Sequence, residues 1–293
     1  MAKVIVRTKG GLGNQLFCYA TARRLALIND SELVIDDVSG FVRDSKYGRK
    51  YMLDHFHIPA RKATKAERLE PFERYRRAVA KWLARLQRFE ERKYLEQEGC
   101  DFDERLLNLK VKGTLYLDGL WQCEAYFKDQ QGIINKDLQF IPPVDAKNQR
   151  MAEKIGNNIS IAIHMRWYDA PDGPVKNNIS VDYYQRAIKF VEEKFPHAHY
   201  FLFSDKSEAA QTTLALPASR STVVSHNRGD ELAYADLWLM SQCKHFIIAN
   251  STFSWWGAWL SNFKHKVVIT PRKRNHVTDF SFRVPVPEAW IQL

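Results

Sequence analysis

The chain has 293 residues, 45% hydrophobic and 27% charged, the balance of a soluble globular protein long enough to bury a core without staples. Of its net charge of +10, an excess of +7 lies in residues 61–93, where twelve Lys and Arg meet five Glu; the surface as a whole is not a nucleic-acid-binding one. There is no apolar run of about 18 residues to span a membrane, and Cys18, Cys100, Cys123 and Cys243 are too scattered for a disulfide framework or a zinc knuckle.

Residues 3–8 (KVIVRT) predict a strand rather than a secretory signal, which with the cysteine usage predicts a cytoplasmic protein. The sequons at Asn29, Asn158, Asn178 and Asn250 then carry no meaning. Residues 9–15 (KGGLGNQ) predict a glycine turn, 16–28 a helix and 31–37 a second strand, together a βαβ unit. Gly10, Gly11 and Gly13 let the backbone approach a ligand, and Asn14 and Gln15 offer amides at the mouth of a helix N-terminus that favours anions. Asp36 and Asp37, about 20 residues on, suit a dinucleotide fingerprint, but Leu16 stands where its third glycine belongs.

Residues 60–127 predict a mostly helical, charged insert. Val79, Trp82, Leu83, Leu86 and Phe89 make an apolar stripe beside a basic one of Lys81, Arg85, Arg88 and Arg92. Packing of this stripe on the protein's own core is the preferred reading. Peripheral contact of helix 78–93 with the anionic inner face of a membrane is the alternative. Asp101-Phe102-Asp103 has the form of a metal motif, but Asp101 with Glu104 reads as a helix cap, and no metal is expected. A strand follows at 114–120. In DGLWQCEAYF (118–127), Trp121 can stack on a sugar, with Gln122 and Glu124 bonding hydroxyls; a core tryptophan is the competing reading.

After Pro142-Pro143 the pattern is helix 148–155, strand 159–165, helix 181–195, strands 200–204 and 222–225, helix 231–243, strand 245–249, helix 254–260 and strand 266–271. This alternation predicts α/β architecture with parallel sheets. The domains expected are 1–145, with a helical insert at about 60–110, and 146–293. Strand ends in the second half carry polar groups where open α/β sheets bind ligands. Arg166, with His164, follows one strand and suits phosphate, the bland alternative being an ion pair with Asp169 or Asp172. Ser204 and Asp205 follow the next, as nucleobase or ribose acceptors or as helix caps. Asn250, Ser251, Thr252 and Ser254 open an aromatic helix as a phosphate cradle.

GGLGNQLF (10–17), HMR (164–166), FSD (203–205) and ANSTFSWWGAWL (249–260) together resemble the α-1,2-fucosyltransferases of inverting glycosyltransferase family 11, and WQCEAYF resembles that family's acceptor-side segment. The resemblance implies a GT-B fold of two Rossmann-like domains facing a cleft. It implies transfer of L-fucose from GDP-fucose, with inversion, to the 2-hydroxyl of a terminal β-galactoside, without a metal or other cofactor. Arg166 is implied at the leaving diphosphate, Asn14 at the reacting centre, Gly11, Gly13, Gln15, His164, Ser204, Asp205 and residues 250–254 on the donor, and Trp121, Gln122 and Glu124 on the acceptor. Asp169, Glu124 and Asp36 are candidate bases. The usual H-x-R-R-x-D pattern is broken by Trp167. A nucleotide-dependent oxidoreductase and a non-catalytic nucleotide- or sugar-binding module are the alternatives.

Overall fold

A computed structural model describes residues 1–45, 47–170, 177–272 and 285–293. The chain divides into two compact units, Met1–Ile141 and Pro142–Leu293.

The first unit contains β1 (Lys3–Arg7), α1 (Leu12–Ile28), β2 (Glu32–Asp36), β3 (Arg61–Lys62), α2 (Glu73–Arg85), β4 (Tyr94–Glu96), β5 (Thr114–Asp118) and α3 (Gln131–Asp137). Its strands form one parallel sheet, ordered β3-β2-β1-β5-β4. Val4, Ile5 and Val6 are buried, as a central strand covered on both faces requires. Helix α1 starts at Leu12, four residues before the expected start. Gly11 is extended, and its carbonyl accepts the amides of Asn14 (2.9 Å) and Gln15 (3.1 Å), closing the first turn. Gly13, Asn14 and Gln15 are therefore helical rather than loop residues. At its other side α1 is fastened by Asp137, which accepts from Tyr19 Oη at 2.8 Å and Arg23 Nε at 2.7 Å.

The middle segment is less helical than expected. Its one α-helix is α2, and β3 and β4 extend the sheet, with β4 in register against β5 from Tyr94↔Tyr116 to Glu96↔Asp118. The orientation of α2 also differs from the preferred reading. The buried Ala84 lies on the same side as Arg77 and Lys81, which ion-pair with Asp36 at 3.7 Å and Asp118 at 3.2 Å, whereas Val79, Trp82, Leu83 and Leu86 are exposed. Charge pairing across roughly 40 residues of sequence, rather than apolar periodicity, decides which face turns inward.

The second unit contains α4 (Ala146–Gly156), β6 (Ser160–Met165), α5 (Val181–Lys194), β7 (His199–Ser204), α6 (Ser207–Leu214), β8 (Ser221–Val224), α7 (Ala233–Ser241), β9 (His245–Ile247), α8 (Thr252–Leu260), β10 (Val268–Thr270) and β11 (Ile291–Gln292). The sheet is parallel and ordered β11-β10-β9-β6-β7-β8. Counted from β6, this is the 3-2-1-4-5-6 order of Rossmann sheets. Ile161, Ile163, Leu202, Ile247 and Ile269 form its core with Tyr184 and Tyr200. A side chain at Gly257 would meet Met240 Sδ at 2.4 Å, so α8 lies against α7 through a bare backbone. All four cysteines are free. Among the described residues no helix is long and apolar enough to cross a membrane.

Candidate active site

In the second unit the strand order reverses between β6 and β9, the place where open α/β sheets form a crevice at their carboxyl ends. His164 is the penultimate residue of β6. It is 5% exposed, its ring centroid is 5.5 Å from that of Phe253, and its Nδ1 is buried without a hydrogen-bond partner. Burial, helped by the neighbouring Arg166 charge, pushes its pKa down to about 3, so the ring is neutral. Arg166, one residue past β6, pairs with Asp205 at 3.1 Å and lies over the Tyr168 ring at 5.6 Å. The ion-pair partner is thus Asp205 rather than Asp169, the partner in the bland alternative; Asp172 lies outside the described residues.

Asp205 also accepts the Trp167 amide at 3.1 Å. It does not cap α6, whose N-cap is Lys206. Ser204 accepts the Lys206 amide at 3.1 Å and so shapes the turn after β7. Asp169 accepts from the Asn177 amide at 2.7 Å and from Asn177 Nδ2 at 3.0 Å, a clasp that ill suits a general base. Tyr168, not picked out from sequence, joins two strand ends: its hydroxyl donates to the Asn250 carbonyl at 3.0 Å.

Beyond β9, Ser251 caps α8 by accepting the Phe253 amide at 3.3 Å, and Thr252 opens the helix. No acidic residue occupies the first turn, which keeps that end favourable to anions. Ser254 is a correction. It is fully buried, and its hydroxyl donates back to the carbonyls of Ala249 and Ser251, so it closes the turn instead of lining a phosphate cradle. Asn250 is buried, with Nδ2 3.5 Å from the Asn177 carbonyl.

The first unit has its own reversal between β1 and β5. Gly10 takes φ +73°, a left-handed conformation suited to glycine, and a side chain on Gly11 would come within 2.5 Å of Arg49 Nη1. Arg49, which no sequence motif marked, therefore stands against the glycine turn. Gln15 is fully buried: Nε2 donates to the carbonyls of Gly10 (3.0 Å) and Lys50 (2.8 Å), and Oε1 accepts the Met52 amide (2.9 Å). Gln15 thus fixes the turn and the 50–52 segment and has no donor left for a ligand.

Asn14 and Gln122 are brought together, Gln122 Nε2 donating to Asn14 Oδ1 at 2.7 Å. Trp121 is not a sugar platform: only 3% exposed, it packs edge-on against Tyr126. Glu124 is half-buried on the same segment. Asp118, ending β5, is a hub for Lys9 (2.8 Å), Arg7 (3.3 Å), Lys81 (3.2 Å) and the Tyr94 hydroxyl (2.8 Å). Burial raises its pKa, yet Lys9 and Arg7 pull it below the usual carboxylate range. Asp36 is likewise engaged, accepting the Val38 and Ser39 amides and the Ser39 hydroxyl. Among the described residues no group of three or more His, Cys, Asp or Glu is placed to hold a metal. In the 101–104 segment the cap is Asp103, accepting the Arg105 amide, rather than Asp101.

The family model for Glycosyl transferase family 11 matches residues 3–278. The chain belongs to glycosyltransferase family 11. This family 11 chain is 29% identical over 306 residues to an α-1,2-colitosyltransferase of Escherichia coli, covering 100% of this chain and 99% of that one. It is 30% identical to the Escherichia coli O-antigen biosynthesis glycosyltransferase WbnK, over 90% and 92% of the two chains. Similar solved structures include NodZ α-1,6-fucosyltransferase soaked with GDP-fucose (TM-score 0.53, 18% identity, 88% and 92% covered). A mutant of Arabidopsis thaliana FUT1 in complex with GDP is another (TM-score 0.53, 14% identity, 95% and 72% covered). The shared fold is GT-B, with parallel α/β units.

Proposed function

We propose that this glycosyltransferase moves L-fucose from GDP-fucose, with inversion and without a metal, to the 2-hydroxyl of a terminal β-galactoside. The observation that carries the reading is Arg166, held by Asp205 past β6, in the same unit as the acid-free N-terminus of α8 past β9. Breaking a sugar–phosphate bond gathers negative charge on the departing diphosphate. A preorganised guanidinium and the free N–H groups of a helix start stabilise that charge as it develops. In this reading Arg166 takes the diphosphate, with Ser251 and Thr252 beside it. Neutral His164 and buried Asn250 shape the donor pocket, and Asp205 positions Arg166.

On the acceptor side, Gln122 holds Asn14. Glu124, on the same acceptor-side segment as Gln122, is the base we propose for the acceptor hydroxyl. Inversion then follows from direct displacement with the hydroxyl opposite the departing diphosphate. Incubation with GDP-fucose and lactose, followed by NMR assignment of the new linkage, tests this. An α-1,2-fucosyl product is expected; GDP release without glycoside formation, or a different linkage, would refute it.

A second reading is favoured by the full-length similarity to a colitosyltransferase and by Trp167 in place of the second arginine. The donor sugar is then colitose, which lacks the 3-hydroxyl of fucose. Competition between the two GDP-sugars decides, the preferred one having the higher kcat/KM.

A further inference from the structure

Helix α2 is amphipathic in the reverse sense. At 100° per residue, Tyr75, Val79, Trp82, Leu83 and Leu86 fall within an arc of roughly 100°, and Phe72 stands at its N-terminal end. Arg77, Lys81 and Ala84 lie about half a turn away, on the packed side. An apolar arc of this width normally faces a core. Here Phe72 is 77% exposed, Tyr75 72%, Trp82 61% and Leu86 69%, and Val79 and Leu83 are exposed with them. Such a contiguous apolar strip marks an interaction surface.

The charges around the strip select the partner. Arg76 borders it on one side, and Arg74 and Arg85 lie beyond the other. Arg74, Arg76 and Arg88 are exposed, while Arg85 is shared with Glu96. Glu73 is the helix's single acid, on the side turned from the strip; Glu90 and Glu91 come after the helix ends. Aromatic and leucine side chains in a strip edged by arginine are the composition of a helix lying in a lipid interface, where the apolar groups enter the acyl boundary and the guanidinium groups meet phosphate. A self-associating face would juxtapose these like charges; an anionic bilayer neutralises them. We propose that α2 docks this enzyme onto an anionic phospholipid surface through Phe72, Tyr75, Trp82 and Leu86.

The test is flotation of the full-length protein with phosphatidylcholine vesicles, with and without phosphatidylglycerol. The wild type should float with the anionic vesicles only, and binding should fall at least about tenfold when salt rises from about 0.05 to 0.5 M. A W82S/L86S variant and an R74E/R76E/R88E variant should each lose flotation while keeping the wild-type melting temperature and GDP affinity. Flotation retained by both variants, or absent from the wild type at low salt, would overturn the proposal. So would a dimer in sedimentation that W82S/L86S dissolves, because the strip would then belong to a second copy of the chain.

Discussion

The Arg166 guanidinium meets the Asp205 carboxylate at 3.1 Å, and that carboxylate also accepts the amide of Trp167, the residue next to Arg166. Asp205 thus grips both the side chain and the backbone of the segment leaving β6, so the guanidinium is aimed before any ligand arrives. A group aimed in advance adds most where charge develops, and its loss appears in kcat. Arg166→Ala should therefore lower turnover at saturating donor by about 10²-fold or more. Arg166→Lys should also be weak, because a point charge cannot reproduce a planar fork. Melting temperatures should hardly move. Near-normal kcat in Arg166→Ala would remove Arg166 from the reaction.

Asp205 is expected to act through Arg166. Asp205→Asn keeps an acceptor for the Trp167 amide but loses the ion pair, and Asp205→Ala loses both. The expected order of kcat is wild type, Asn, Ala, with GDP affinity weakened by about 1–3 kcal/mol in the alanine variant. Calorimetry and steady-state kinetics together check it. Loss of GDP affinity with kcat intact would make Asp205 a nucleobase contact instead.

Excess EDTA should leave turnover unchanged, since the proposed charge stabilisation comes from Arg166 and a helix N-terminus. Loss of activity that Mn²⁺ restores would overturn this and direct attention to carboxylates such as Asp101 and Asp103.

His164 should make stability fall in acid. Its ring resists protonation down to about pH 3 in the folded protein, whereas an unfolded-chain histidine titrates near 6.5. Between those values the unfolded state binds more protons, so folding stability is complete above about pH 6.5 and declines as pH drops toward 3. His245, pushed down to about 4 mainly by burial, adds in the same direction. Urea titrations at pH 7.5 and 5 should show a His164→Gln variant losing less stability than the wild type over that interval. Equal losses would mean that His164 protonates freely in the folded state.

Asp236 should work in the opposite sense. Burial pushes its pKa up to about 7, despite the hydrogen bond from Asn227 Nδ2 at 2.8 Å. The folded state therefore keeps this proton through a range where the unfolded chain, with an aspartate pKa near 3.9, has released it. Stability declines as pH rises across that range and levels off above about 7. Asp236→Asn retains an acceptor for Asn227 and should raise stability at pH 8 by about 1–3 kcal/mol, with little change at pH 4. A destabilised Asn variant at pH 8 would contradict it.

In the second unit β6 to β10 are legible in the sequence, because runs such as ISIAIHM and YFLFS are apolar over the full length of a buried parallel strand. Strands β3, β4 and β11 are missed because their two or three residues do not sit in a longer apolar run, as those of β9 and β10 do. Gly13 and Asn14 read as turn residues in the sequence, whereas the first turn of α1 is set by Gly11 and by Gln15's bonds to Gly10 and to Lys50 and Met52, some 35 residues on. At the candidate site, Arg166 and the α8 cap could be found from strand ends. The pairing of Arg166 with Asp205, the inward turn of Ser254 and the nearness of Arg49 to Gly11 depend on backbone paths that no local motif encodes.

Helix α2 is fastened mainly by charge. Its packed side meets the sheet through Arg77, Lys81 and one small apolar residue, Ala84, so little hydrophobic free energy ties the helix to the rest of its unit. Local opening of α2 should then be a low-energy event, distinct from global unfolding. Its backbone amides should exchange with solvent deuterium well ahead of those in β1 and β5, and sooner still at high ionic strength, which weakens the pairs that hold it. The helix is in this sense a separable cooperative element on a sheet that keeps its own core.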